Sequence, residues 1–132
     1  MKLATWNVNS LKVRLPQVLE WLQSASPDVL VMQELKQVTE EFAVDAFKGL
    51  GYHAVANGQR AYNGVAIVCR SPVSDLVMEL PGFDDRQRRV LAGTTDAVRI
   101  VNLYVPNGAS VGSESYEYKL RWLAALRRFL AD

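Results

Sequence analysis

The sequence predicts an α/β protein with one mixed β-sheet, and three observations carry that prediction. A strand-like stretch, an amphipathic segment and a wholly apolar strand follow one another within residues 2–34, the order of a βαβ-like unit. From Tyr52 onward short apolar stretches alternate with turn signals, as in a run of strands. The chain then closes on a helical stretch, so helices and strands mix along one length.

Taken in order, residues 2–8 alternate and run into polar Asn7, Asn9 and Ser10, which reads as a strand entering a loop. From Val13 to Ala25 the residues Leu15, Val18, Leu19 and Leu22 recur at helical spacing. Pro16 suits the first turn of that helix, where a missing N–H costs nothing, and Ser26-Pro27 ends it. Val29-Leu30-Val31-Met32 reads as a buried strand ending at Gln33-Glu34. Thr39 is a good N-cap, with Glu40 and Glu41 favoured in a first turn. Phe42, Ala43, Ala46, Phe47 and Leu50 would form that helix's buried stripe, stopped by Gly49 and Gly51. Strands are expected at 52–56, 64–70, 73–80, 90–95 and 98–105. They are separated by Asn57-Gly58, Asn63-Gly64, Ser71-Pro72, Pro81-Gly82 and Asp96-Ala97. A last helix spans 115–130, with Leu120, Leu123, Leu126 and Leu130 in register. The helices are expected on one side of the sheet.

At 132 residues the chain is of single-domain length. An apolar fraction of 49% and a charged fraction of 22% are those of a folded globular protein, not a disordered one. No apolar run approaches the roughly 20 residues of a membrane-spanning helix, and the N-terminus lacks a signal-peptide core. Cys69 is alone, so no intramolecular disulfide can form, and a cytoplasmic location is expected. Fifteen Lys and Arg against fourteen Asp and Glu leave +1. Any nucleic-acid contact must therefore come from local clusters, for which Lys12 with Arg14, Arg86 to Arg89, and Arg127-Arg128 are the candidates.

Asn7, Glu34, Tyr104 and Asn107 fall where strands end, the place where functional groups gather in open α/β sheets. Magnesium prefers hard oxygen ligands and keeps several waters, so one carboxylate such as Glu34, with the amide oxygen of Asn7 beside it, is a sufficient protein contribution. Such a site polarises a phosphoryl oxygen. No base to activate water is evident: His53, the only histidine, reads as structural, and Cys69 reads as core. Phosphate loops of Walker type, dinucleotide fingerprints and zinc-ligand spacings are all missing.

Five segments, in order, resemble the exonuclease III family of apurinic/apyrimidinic endonucleases. They are Trp6 to Arg14, Pro27 to Lys36, Tyr62 to Ile67, the pair Arg88-Arg89, and Asn102 to Gly108 with its Tyr104-Val105-Pro106-Asn107-Gly108 core. The resemblance implies that Glu34 binds Mg2+ or Mn2+ with Asn7 beside it. It implies that Tyr104 contacts the scissile phosphate, and that Asn107, Arg88, Arg89 and Asn63 meet phosphate or the DNA backbone. Lys36 and Arg14 would be rim candidates. The implied activity is hydrolysis of duplex DNA 5′ to abasic sites and at 3′ ends, with double-stranded DNA as partner and no membrane. A related phosphoesterase with another substrate, or a non-catalytic chain that binds DNA or a complementary chain, are the alternatives.

The resemblance also implies a fold: residues 1–132 as the N-terminal half of a two-sheet α/β sandwich, this half supplying one mostly antiparallel mixed sheet with flanking helices. The family's later Gly-Asp-Phe-Asn and Ser-Asp-His motifs do not occur, since Ser74-Asp75 is followed by Leu76. With the C-terminal half absent, the expectation is an inactive fragment whose uncovered sheet face promotes self-association.

Overall fold

The computed structural model describes residues 1–131. Its elements are β1 (Leu3–Asn7), α1 (Leu11–Ala25), β2 (Val29–Gln33), a 3-10 turn (Thr39–Glu41), α2 (Val44–Lys48), β3 (His53–Asn57), β4 (Val65–Cys69), β5 (Ser74–Val77), β6 (Val90–Thr95), β7 (Val98–Leu103) and α3 (Glu114–Ala131). The α/β class holds, and the strands divide into two sheets, β1-β2-β4-β3 and β5-β6-β7. In the first, β1 runs parallel to β2 and the other pairs are antiparallel. The second is wholly antiparallel.

The central strands explain this layering. Every residue of β2 and of β4 is buried, because both faces of each strand are apolar and both find cover. Leu30, Met32, Ala66 and Val68 face outward onto Val18, Leu22 and Phe47 from the helices. Val29, Val31, Val65, Ile67 and Cys69 face the other way, onto Leu91 and Ile100 of the second sheet. Burying one such large aliphatic side chain stabilises the fold by about 1.5–3 kcal/mol. The inner face over β2 and β4, which sequence reasoning left bare, is therefore covered from within the same chain. The strand pattern shows which residues alternate, not which strands hydrogen-bond and which stack, so one sheet was expected where there are two.

The helices also lie on both outer faces rather than one. Trp21 of α1 packs edge-on against Trp6 of β1, with ring centroids 6.0 Å apart. On the far side Trp122 and Ala125 of α3 pack with Leu80 and Val90. β7 lies over β2 and β4, and β6 over β4 and β3. The inward side of β1 is not roofed, and Leu3, Thr5 and Asn7 stay exposed there. Among the described residues no helix is long and apolar enough to cross a membrane.

Two helix starts differ from expectation. α1 begins at Leu11, whose N–H donates to Leu35 O at 3.0 Å. Pro16 thus sits in the second turn, and the helix loses one internal hydrogen bond. The helix expected after Thr39 is broken into the 3-10 turn and α2, with extended backbone at Phe42 between them. The Thr39 hydroxyl accepts the Gly58 N–H at 2.9 Å instead of capping a helix. The break lets Phe42 and Phe47 stack with centroids 5.4 Å apart. A side chain at Gly58 would meet Gln37 O at 2.4 Å, so only glycine permits this close approach of two loops.

Candidate active site

Register brings the loops together. Asn7 pairs with Gln33, Gln33 with Val65, and Asn57 with Val65, so the ends of β1, β2 and β3 and the start of β4 lie along one edge of the sandwich. Val90, at the start of β6, pairs with Leu103 at the end of β7. Residues 34–38, 58–64, 84–89 and 104–109 thereby join 8–10 as one loop cluster.

Glu34 is the first residue beyond β2, with φ of 59°. A non-glycine residue in that region is strained, and such strain persists only where neighbours over-determine the backbone. Here they do. Glu34 O accepts from Ser10 N at 2.9 Å, while Leu35 N and Lys36 N donate to Gly64 O and Asn63 O. Asn9, Ser10, Lys36, Ala61 and Asn63, all in the same cluster, also have positive φ.

Tyr104 follows β7 directly, and its hydroxyl donates to Glu34 Oε1. These residues are far apart in sequence and come from opposite sheets, so the contact spans the mouth of the sandwich. Burial, then the Glu34 carboxylate as hydrogen-bond acceptor and as charge, hold the Tyr104 phenol above the usual tyrosine value. The Arg89 guanidinium pulls it part of the way back.

A buried polar pair sets the spacing of the two strands. Gln33 Nε2 donates to Asn102 Oδ1 and to Thr5 Oγ1, each at 2.9 Å. Asn102 Nδ2 donates to Met32 O at 2.9 Å and to Ala66 O at 2.8 Å. Asn7, two residues beyond Thr5, projects to the same face, where its Oδ1 accepts from Asn9 N at 3.1 Å.

The expected residues divide into groups. Glu34, Tyr104 and Asn7 gather at the mouth. Asn107 is exposed in the loop after β7, its Oδ1 accepting from Ala109 N at 2.9 Å. Arg88 points to solvent from the neighbouring loop. Asn63 is buried, and its amide nitrogen donates to Gln59 Oε1 at 3.0 Å. Gln59 Oε1 also accepts from Arg88 N, tying the two loops. Lys36 Nζ reaches Asn9 Oδ1 at 2.6 Å on the rim. Arg89 is half-buried and internally engaged. His53 opens β3 at the opposite end of the sheet from Asn57, away from this cluster. Cys69 is core, with burial raising its thiol.

The donor set is one carboxylate with an amide oxygen, hard ligands of the kind that suit Mg2+ or Mn2+. Among the described residues no cluster of three or more His, Cys, Asp or Glu forms a metal cage. A site of this kind would rely on water and substrate oxygens to complete its ligand shell.

Gln33 and Asn102 were not singled out as site residues. The available signal was a polar residue at the end of one apolar strand and another inside a second. Asp85 and Tyr118, which support the loop carrying Arg89, had no sequence signal, and Gln87 was marked only as part of the basic Arg86 to Arg89 cluster.

Comparison with known proteins agrees with this fold. The profile of the endonuclease/exonuclease/phosphatase family matches residues 4–132. Exodeoxyribonuclease III of Haemophilus influenzae is 28% identical over 98% of this chain and 51% of its own length. A 3′ phosphatase from Neisseria, solved bound to a product DNA hairpin, superposes with a TM-score of 0.96 at 50% identity, covering 98% of this chain and 51% of that one. An AP endonuclease from Archaeoglobus fulgidus gives 0.95 at 38% identity with the same coverage. The chain spans about half the length of these relatives. With a profile matched across nearly all its residues, the chain belongs to the endonuclease/exonuclease/phosphatase family.

Proposed function

We propose that this chain supplies the metal-binding and phosphate-binding side of a Mg2+- or Mn2+-dependent DNA-repair nuclease. Its phosphodiester substrates are duplex DNA, cut 5′ to abasic sites and at 3′ ends. The observation that carries this reading is the Tyr104–Glu34 contact: a carboxylate and a phenol from opposite sheets, held in a strained, solvent-facing loop cluster. The names of the relatives point to DNA 3′ ends and to abasic sites.

In this reading Glu34, with Asn7 beside it, holds the cation, which when bound supplies positive charge to a phosphoryl oxygen. Tyr104 turns its hydroxyl from Glu34 to a non-bridging phosphate oxygen and stabilises the charge that builds there. Asn107 presents its amide to the same phosphate from the adjoining loop. Arg88, exposed beside them, contacts the backbone by charge, with Lys36 on the rim. Asn63 contributes by holding the loop in shape through Gln59.

No residue in this cluster is placed as a general base, because His53 lies at the other end of the sheet. The chain by itself is therefore expected to bind cation and DNA without cutting.

The test uses a fluorescent duplex with one abasic site and a second with a 3′ phosphate, each with Mg2+ and with EDTA. Mn2+-induced broadening of Glu34 and Asn7 amide resonances, with no cleavage of either duplex, is the expected result. EDTA-sensitive cleavage would show that the residues present suffice for catalysis. No broadening at Glu34 would remove the metal assignment.

A further inference from the structure

Arg89 and Tyr104 are cross-strand neighbours one step beyond the β6–β7 ladder, which ends at Val90 and Leu103. Three contacts join them. Tyr104 N donates to Arg89 O at 2.9 Å. Arg89 Nη1 donates back to Tyr104 O at 3.1 Å. The guanidinium carbon lies 4.8 Å from the Tyr104 ring centroid. Arg89 Nε is also taken, donating to Gln87 Oε1 at 2.8 Å. The Tyr118 ring of α3 approaches the same guanidinium, with its centroid 5.8 Å away.

That loop is anchored in turn. Tyr118 donates its hydroxyl to Asp85 Oδ2 at 2.5 Å, and Asp85 Oδ1 accepts from Gln87 N at 2.9 Å. A continuous path runs from α3 through Asp85, Gln87 and Arg89 to Tyr104 and then Glu34.

A phosphate clamp needs the guanidinium fork free and pointing at solvent. In this half-buried side chain two donor nitrogens are spent inside the protein and two aromatic rings stand close to the cation. Arg88, its neighbour, has the exposure that Arg89 lacks.

We propose that Arg89 is a positioning residue: held by Gln87 and between the rings of Tyr104 and Tyr118, it fixes Tyr104 against Glu34 and does not itself contact DNA. This rests on Tyr104 being the phosphate-contacting residue proposed above. It departs from the sequence expectation that Arg89 meets the backbone.

The experiment places 3-fluorotyrosine in this chain, assigns the Tyr104 line by Tyr104→Phe, and compares Arg89→Met, Arg89→Lys and Tyr118→Phe. A far-UV spectrum and an amide map confirm the fold of each variant. Arg89→Met is expected to shift and broaden the Tyr104 fluorine line, and Arg89→Lys to restore part of the shift by keeping a cation beside the ring. Tyr118→Phe, which loosens the anchor from α3, is expected to move the same line by a smaller amount. Should Arg89→Met fail to fold, the Lys and Phe variants carry the test.

An unmoved Tyr104 line in the folded variants would overturn the proposal. So would a salt dependence of abasic-duplex binding that falls by about one unit of slope in Arg89→Met, the signature of a lost phosphate contact. If the Tyr104 line moves but Tyr104→Phe leaves duplex binding unchanged, positioning stands and the phosphate role of Tyr104 fails.

Discussion

Gln33 and Asn102 are hydrogen-bonded to each other across the interior of the sandwich at 2.9 Å, one residue before Glu34 and two before Tyr104. A polar pair in an apolar interior is tolerated only when its hydrogen bonds are satisfied, and this pair is well supplied by Thr5, Met32 O and Ala66 O. It fixes how the ends of β2 and β7 sit over each other, and so where Glu34 and Tyr104 meet.

Asn102→Leu should therefore cost more than the loss of one hydrogen bond, because Gln33 Nε2 and the Met32 and Ala66 carbonyls lose a buried partner together. A destabilisation of roughly 2–4 kcal/mol is expected from these penalties, read as a lower urea midpoint. A loss below about 0.5 kcal/mol, within the range of ordinary surface substitutions, would show that the pair does not hold the sheets.

Glu34→Gln and Tyr104→Phe should separate metal binding from phosphate binding. The first removes the carboxylate proposed to hold the cation, and Mn2+ affinity is expected to fall by at least about tenfold, the lower bound seen even for outer partners of metal ligands. The second leaves the carboxylate in place and should leave that affinity within about twofold, since a phenol adds little to a hard-cation site. Paramagnetic titration of both variants checks the pair, and equal losses would contradict the division of roles.

Arg88→Ala should weaken duplex binding and lower the slope of log affinity against log salt by about one, as one phosphate contact is lost. The comparison is a binding series from low to moderate salt. A slope identical to the parent chain would take Arg88 off the DNA-facing surface.

Tyr118 links the fold to alkaline pH. Burial, then the hydrogen bond to Asp85 and its charge, raise this phenol well above its ordinary value, and Arg89 lowers it only in part. A group whose value is raised by folding adds stability that is complete below its unfolded value, near 10. That contribution is lost as pH rises through the folded value. The parent chain should lose more stability than Tyr118→Phe between pH 9 and pH 11, measured by urea unfolding at each pH. Parallel losses would mean that the fold does not hold the Tyr118 phenol above its ordinary value.

Cys69 is fully covered on the inner face of β4, and burial raises its thiol. A disulfide reagent should leave the native chain untouched and modify it within minutes in urea, because the thiolate is the reactive form and neither access nor charge is available in the fold. Rapid reaction of the native chain would show that the two sheets part on that timescale.

The sequence alone determined the kinds of element and the residues at strand ends. β6 at Val90–Thr95 lies where its alternation placed it, and the other strands and α3 differ from expectation by a few residues at their ends. The polar residues ending β1, β2 and β7 marked Asn7, Glu34 and Tyr104 as candidates, because periodicity is local and a polar residue closing an apolar run is visible without a fold. Only the tertiary structure decided which strands pair and which stack, since Val65 and Ile67 are equally apolar in either arrangement. It also decided that Thr39 serves Gly58 and not a helix start, that Gln33 and Asn102 meet, and that Arg89 is enclosed while Arg88 is free. Each of these depends on a partner far away in the chain, and a residue's own type does not reveal which distant hydrogen-bond donor or apolar face will reach it.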